Sequence, residues 1–381
     1  MNLNYSEEQT MLREQVQRFC DADYDFYKRE AVIKSENDFD LKAWNLFAEQ
    51  GWLSIPFSEE SGGFGFGPIE LSVLFEEFGK ALVIEPYLST VVLSGTLLDN
   101  SNYAHKSDVI EKICNGSMQV SLAYAEAANS YNYSSPMTSL SDDMKLNGTK
   151  TIVLNGGNAD KVIISCMHKG DLALVIVNAS DDGISMNTFP TVDGQACAEI
   201  TFENVIIAED SLIGLGNEAE TLLNTAINLA TLCVSAEAVG CMSSCYLKTV
   251  EYTKGREQFD QPISNFQVLQ HRMVDMFIES ELCRSLLIKA MVEVDCKSDE
   301  MFKHVSALKA QVGKSGKFCA QQAVQLHGGM GVSDELMIGH YLKKLIVIDA
   351  LFGNTDHHLK QYSKSDGSQS LHRTILKNQL K

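Results

Sequence analysis

The residues of this chain best suited to chemistry lie between Tyr252 and Met276. There, Lys254-Gly255-Arg256-Glu257-Gln258-Phe259 runs through Asp260, Gln261 and Pro262 into Phe266, Leu269, Met273 and Met276. A basic, turn-forming half followed by an apolar-periodic half reads as a helix, a tight corner and a second helix. An arginine at such a corner can hold its planar guanidinium fork toward a phosphate while the aromatic packs beneath it. A plain helix-helix corner with a solvated arginine is spelled the same way, so the stretch by itself leaves both open.

The whole chain bounds what this corner can serve. Its 381 residues, 45% of them hydrophobic, are enough for a large core and roughly two or three domains. With 31 Lys and Arg against 50 Asp and Glu, the net charge is −19. Such a surface repels nucleic acid and anionic membranes, so a phosphate-rich ligand needs a local basic pocket. The ten cysteines have no paired CxxC spacing and sit in apolar runs such as those around Cys166 and Cys233. They read as small buried hydrophobes in a reducing compartment, and no metal site is expected: Cys241 and Cys245 share a helix face without further ligands. No leader pattern and no bilayer-length apolar stretch is found, so a cytoplasmic protein with no membrane span is expected.

Ser6-Glu7-Glu8-Gln9 fits a capping box, with Leu12, Val16 and Phe19 on one helical face. Leu41, Trp44 and Phe47 mark a second helix ending near Gly51, and Pro68 opens a third through Leu71, Leu74, Phe75, Phe78 and Leu82. The Gly-rich stretch between them has neither a preceding strand nor a following Lys-Ser/Thr, which rules out a P-loop. From Met118 the pattern changes to short runs rich in β-branched residues. Turns are expected at Asn147-Gly148, as a hairpin, and at His168-Lys169-Gly170. After Gly214 long helical patterns return, including Ser264 to Cys296, Met301 to His327 and Asp334 to Gly353. The fold class is therefore α+β: an N-terminal helical domain (1–117), a central β-domain (118–213) built as a compact barrel or sandwich, and a C-terminal helical bundle (214–381).

Arg256-x-x-Phe259-x-x-Pro262-Ile263 and the following Phe266-Gln267-x-Leu269-Gln270-His271-x-x-x-Asp275-Met276 closely resemble the corresponding run of the acyl-CoA dehydrogenase family of flavoproteins. Gly51-Trp52, Pro56, Gly62-Gly63, the EEFGKALVIEPYLSTV stretch and TFENVIIAEDSLIG match the family in the same order. The resemblance implies a central β-barrel domain between two helical ones. It implies FAD as cofactor, lying between the β-domain and the bundle with its ADP part reaching an adjacent subunit. Arg256 corresponds to the family arginine on the flavin pyrophosphate, with Phe259 beside the adenosine part. Gln325, Gly328 and Gly329, within Gln325-Leu326-His327-Gly328-Gly329-Met330-Gly331, correspond to the run that approaches the ADP of a neighbouring subunit's flavin. Asn354 falls at a further cofactor position, and Asn228, Phe352 and Gly353 fall on the side of the acyl-CoA substrate.

The family chemistry takes a proton from the carbon next to a CoA thioester and a hydride from the next carbon, which requires a base and a donor to the developing enolate. Here the sequence departs from the pattern. The family's Thr-Glu-Pro-Gly-Ala-Gly-Ser is Ala125-Glu126-Ala127-Ala128-Asn129-Ser130-Tyr131, and its Trp-Ile-Thr is Ile152-Val153-Leu154. Its Tyr-Glu-Gly-Thr is Leu351-Phe352-Gly353-Asn354, and the alternative base position on an earlier helix is Ala230. Neither Phe352 nor Ala230 can accept a proton, so the catalytic residue is unassigned. Asp349, Asp356, His357 and His358 lie close in sequence, each readable as a solvated or capping residue, and Glu237 fits neither base position.

Three readings follow: an FAD-dependent dehydrogenase with an unusual base, a subunit whose partner supplies the base, or a non-catalytic structural or binding subunit on the same scaffold. For the first two, the resemblance implies an acyl-CoA substrate from fatty acid or sterol catabolism. It also implies an electron acceptor such as electron-transfer flavoprotein, and a homo-oligomer or a heteromer with a second acyl-CoA dehydrogenase-like chain.

Overall fold

A computed structural model describes residues 5–35, 38–129 and 131–365. Positions 1–4 and 36–37 of the expected N-terminal domain, Ser130, and positions 366–381 of the expected bundle lie outside the described residues. The capping box is in place: Gln9 N–H donates to Ser6 Oγ at 3.1 Å and Ser6 N–H to Gln9 Oε1 at 2.9 Å, opening α1 (Glu7–Ala22). α2 (Phe26–Ile33) and α3 (Leu41–Glu49) are each capped by an aspartate, Asp25 accepting from Lys28 N–H and Asp40 from Lys42 N–H. Trp44 and Phe47 are buried as expected, but Leu41 is 60% exposed because it is the first residue after the cap, at the surface end of the helix. α4 (Pro68–Ala81) begins at Pro68 and buries Leu71, Leu74, Phe75 and Phe78. A π-helical run (Leu88–Gly95), α5 (Thr96–Asp99) and α6 (Lys106–Cys114) complete the first helical stretch.

The chain divides into two compact units, one made of Met1–Gln17, Ser72–Leu82 and Thr231–Lys381, the other of Arg18–Leu71 and Val83–Ala230. The second unit contains an aromatic cluster in which Phe19 and Trp52 both pack on Phe47, and it contains the sheet. Its strands are β1 (Val120–Ala123), β2 (Ser139–Leu140), β3 (Lys145–Leu154), β4 (Lys161–His168), β5 (Asp171–Asn178), β6 (Ile184–Pro190), β7 (Ala196–Ile206) and β8 (Leu212–Leu215). They run in the order β6-β7-β3-β2-β4-β5-β8, with β1 parallel to β4. Alternate residues, Val162, Ile164 and Cys166 on β4 and Ala173, Val175 and Val177 on β5, fill its core. The His168-Lys169-Gly170 turn is present, with positive φ at Lys169 and Gly170 joining β4 to β5.

Asn147-Gly148 is not a hairpin turn. Both residues lie inside β3, where the register against β7 passes from Leu146↔Val205 to Gly148↔Phe202, so β7 carries an extra residue. Asn147 Oδ1 accepts the N–H of the bulged Asn204 at 2.9 Å, and a Cβ on Gly148 would lie 2.6 Å from Thr138 Oγ1. The Asn-Gly pair therefore serves a bulge and a close crossing rather than a turn. β6 was not foreseen, its sequence ISMNTFP having little apolar patterning.

The long helices are α7 (Asn217–Gly255), which belongs to the first unit from Thr231 on, and α8 (Gln267–Asp295), α9 (Met301–His327) and α10 (Met337–Ala350), which lie wholly in it, with residues 355–365 helical beyond them. α7 corrects one expectation: an 18-residue stretch of it is long and apolar enough to cross a membrane by composition, but 83% of that stretch is buried within the protein, as suits a core helix. Gly79 on α4 and Gly240 on α7 let two backbones touch. A Cβ on Gly79 would come closer than 3.0 Å to the Glu237 carbonyl oxygen, and one on Gly240 equally close to that of Glu76. Neither backbone can give way, so Gly79→Ala and Gly240→Ala should each lower the unfolding free energy by about 1–3 kcal/mol or more. Gly255→Ala at the end of α7, where a Cβ meets nothing within 4 Å, should shift it by less than about 1 kcal/mol. Urea unfolding of the three variants checks the contrast.

Candidate functional site

The corner after α7 is a two-strand ribbon, β9 (Glu257–Gln258) paired with β10 (Gln261–Pro262), with Phe259 and Asp260 both at positive φ in its tip. Arg256 N–H continues the helix to Tyr252 O at 2.9 Å, and Arg256 O accepts the Ile263 N–H at 2.8 Å, which fixes the backbone on both sides of the guanidinium. The Arg256 side chain is exposed. Phe259 does not pack beneath it. The ring is 85% exposed at the ribbon tip, touching only the edge of Phe266 among the ring contacts described.

The glycine run is brought to the same end of the bundle. Tyr252 stacks on His327 at a centroid distance of 4.2 Å, and the Tyr252 hydroxyl reaches His327 O at 3.5 Å. Gln325, Gly328 and Gly329 are exposed there, and a Cβ on either glycine would meet nothing within 4 Å, so their backbone is open to close approach. Arg256, Phe259, Gln325, Gly328 and Gly329 are thus all exposed at this end of the bundle, which offers a cation on a fixed backbone and an uncovered glycine run. That donor set fits a pyrophosphate-bearing ligand.

Phe352 and Gly353 are not at that end. Their turn packs against Ser306 and Lys309 on α9, while Gln325 is 16 residues further along the same helix. At 1.5 Å per residue the two places are roughly 24 Å apart. Phe352 is 3% exposed and holds φ at +60°, an uncommon backbone state for an aromatic residue, with Gly353 next at +120°. Asn354 Oδ1 accepts the His357 N–H at 2.9 Å, capping the helical segment that follows.

Asp349, Glu237 and His358 are committed to structure. Asp349 Oδ1 accepts both the N–H and the hydroxyl of Thr355, at 3.1 and 2.9 Å. Asp356 is exposed. Glu237 is buried against Lys344 at 2.7 Å. His358 lies between Ser306 Oγ and Phe352 O, each at 3.2 Å, and burial pushes its pKa down to about 3, so it is a neutral hydrogen-bonding bridge. Asn228 and Ala230 are buried within α7.

In the sheet unit, Ile152 lies at a second bulge, where the register jumps from Lys150↔Ile200 to Val153↔Ala198. It has φ +52° and is 41% exposed. A β-branched residue in that conformation is strained, and such strain gathers at binding sites. Beside it, Glu126 ties residues 137 and 138 to Lys150, a role its sequence context does not display. Its carboxylate takes Lys150 Nζ at 2.7 Å, the Met137 and Thr138 N–H groups at 2.6 and 3.0 Å, and the Thr138 hydroxyl at 2.6 Å. Burial works to raise its pKa, but these donors, led by Lys150, outweigh it and the carboxyl is held below its usual value. Among the described residues no group of three His, Cys, Asp or Glu is placed to hold a metal.

Comparison with known proteins identifies the family. Residues 6–117 match the acyl-CoA dehydrogenase N-terminal domain and residues 221–365 the acyl-CoA dehydrogenase C-terminal domain. The chain is 27% identical over 365 residues to a probable acyl-CoA dehydrogenase, YngJ, of Bacillus subtilis, covering 90% of this chain and 93% of that one. It is 24% identical over 374 residues to the NADH-dependent acryloyl-CoA reductase of Anaerotignum propionicum, covering 94% of each. Its fold matches the ChsE4-ChsE5 complex from Mycobacterium tuberculosis with a TM-score of 0.88 at 23% identity, over 96% of this chain and 99% of that one.

The bridging histidine carries a pH signature. Its folded pKa lies below the unfolded value of 6.5, so the unfolded chain binds the proton first. The stabilisation is complete above about pH 6.5 and is lost as pH falls toward about 3. Across that window wild type should lose about 1.4 kcal/mol per pH unit more than His358→Gln, whose amide can make both hydrogen bonds without titrating. Unfolding curves at a series of pH values read this difference directly.

Proposed function

The chain belongs to the acyl-CoA dehydrogenase family, and from that premise we propose that it takes part in FAD-dependent oxidation of an acyl-CoA thioester to the 2,3-enoyl-CoA as one subunit of an assembly whose partner chain supplies the base. The observation that supports this reading is the pairing of exposed Arg256 with buried apolar residues, Phe352 and Ala230, at the two positions that the resemblance aligns with the family carboxylate. A hetero-assembly among structural neighbours, the ChsE4-ChsE5 complex, supports the shared-site form.

Arg256 would hold the flavin pyrophosphate and Phe259 the adenosine, with Gln325, Gly328 and Gly329 serving the flavin of an adjacent subunit. The roughly 24 Å between that run and the Phe352 turn along α9 suits such a division between subunits. FAD, when bound, supplies the hydride acceptor. Phe352, Gly353 and Asn228 would line the acyl-CoA side, and the Phe352 N–H would polarise the thioester carbonyl, a donor that does not depend on the side chain. Glu126 and Lys150 would hold Met137 and Thr138 near Ile152, at positions that the resemblance aligns with the family's ring-facing hydroxyls. The substrate would be a fatty or sterol-derived acyl-CoA in a cytoplasmic setting, with electrons passing to a carrier such as electron-transfer flavoprotein. The division into 1–117, 118–213 and 214–381 belongs to the same reading. The loss of carboxylates at both base positions also favours a second reading, a non-catalytic subunit on this scaffold.

Anaerobic mixing with acyl-CoA, followed through the flavin absorbance, tests the proposal. Phe352 already holds a positive φ, so a glutamate there adds no new backbone strain. Phe352→Glu should therefore create or raise flavin reduction in the chain without its partner, and a folded, flavin-loaded variant that gains nothing would sink the missing-base account. Arg256→Ala should weaken flavin retention by about tenfold or more, the loss of a charge-assisted phosphate contact. Unchanged flavin content after dialysis would refute that role.

A further inference from the structure

Ser306, Lys309 and Gly313 follow one another on α9 at spacings of three and four and so share a helix face. That face grips the turn after α10 by its carbonyl groups. Lys309 Nζ donates to Asp349 O at 3.0 Å and to Gly353 O at 2.6 Å. Ser306 Oγ at 3.2 Å sets His358 to accept through Nδ1 and to donate from Nε2 to Phe352 O. Gly313 leaves the space for the capping pair: a Cβ there would come closer than 3.0 Å to Asp349 Oδ1 and Thr355 Oγ1.

A lysine is a costly way to fill this position. Lys309 is fully buried, and its neighbours Val305, Leu308, Ala310 and Val312 are apolar. Burial lowers its pKa to about 8 against the pull of the Asp349 carboxylate; His357 and His358 are the other titratable groups that feel its charge. What the ammonium provides in return is geometry. In a trans peptide the carbonyl and the following N–H point in opposite directions. Fixing the carbonyls of Phe352 and Gly353 on the α9 side therefore turns the N–H groups of Gly353 and Asn354 to the other side, in a turn whose positive φ angles suit a concave donor pair.

We propose that Lys309 and Ser306 are positioning residues: Lys309 holds the Gly353 carbonyl and Ser306, through His358, that of Phe352, and together they present the Gly353 and Asn354 N–H groups as paired donors to an oxygen of the bound ligand. Which oxygen that is, the acyl thioester's or the flavin's, rests on the acyl-CoA reading above.

The test uses the flavin-loaded protein, with its partner chain if it needs one, and the variant Lys309→Met. Amide exchange at Gly353 and Asn354 should accelerate at least tenfold while exchange in α7 is unchanged. On the same sample, either the rate of flavin reduction by acyl-CoA falls at least tenfold with KM within about twofold, which assigns the thioester oxygen, or flavin retention falls tenfold, which assigns the flavin. Unchanged exchange in the turn overturns the proposal, as does faster exchange with both rate and retention intact. Should Lys309→Met not fold, Ser306→Ala loosens the same turn through His358 and is judged by the same two criteria. If wild type reduces no flavin with any acyl-CoA, the functional reading fails by itself, and exchange with flavin retention still decides the positioning claim.

Discussion

The contact that the helical unit depends on is the crossing of α4 and α7 at Gly79 and Gly240, where each backbone occupies the space a Cβ of the other would need. So close an approach brings three buried carboxylates, Glu76, Glu77 and Glu237, to one place, and each has a cation. Arg284 takes both oxygens of Glu76 at 2.9 and 3.0 Å, Arg13 and Lys80 share Glu77, and Lys344 holds Glu237. Replacing such pairs by apolar residues can be neutral, but losing one partner leaves a buried charge and is expensive, so the pairs fix which residues meet at the crossing. Tyr341 on α10 adds a hydrogen bond to Lys80 O at 2.6 Å.

With α7 fixed, its C-terminal end fixes Arg256, and the Tyr252-His327 stack brings the glycine run of α9 beside it. The Phe352 turn hangs on the opposite part of α9, through Lys309 and Ser306. One helix therefore carries the exposed glycine run at one end and the Phe352 turn toward the other, and their separation is set by its length. On the proposed reading, a site that needs both features is completed by a second chain.

Much of the fold could be read from the sequence because its signals were local. The capping box at Ser6, Pro68 at the first turn of α4, and the β-branched runs of β3, β4, β5 and β7 each state their own structure. Errors came where a local signal served a distant contact. Asn147-Gly148 spells a hairpin, but its glycine makes room for Thr138 and its asparagine caps a bulge in another strand. Phe259 was expected under Arg256, yet a ribbon tip with two positive φ angles leaves the ring outside. The corner and glycine-run residues were legible by their types and spacing. The residues that support the other places are harder to read: Glu126 and Lys150 stand 24 positions apart in sequence, and Lys309 acts through carbonyls that no sequence pattern displays. Its signal was present nonetheless, a lone lysine within the apolar face of a helix.

The most direct test of the shared-site account is the visible absorption spectrum and acyl-CoA-dependent flavin reduction of this chain, purified alone and then co-expressed with a second acyl-CoA dehydrogenase-like chain from the same genome. The account predicts that flavin reduction appears only in the co-expressed assembly. Full, acyl-CoA-dependent reduction by the chain alone would contradict it and require a base within this sequence.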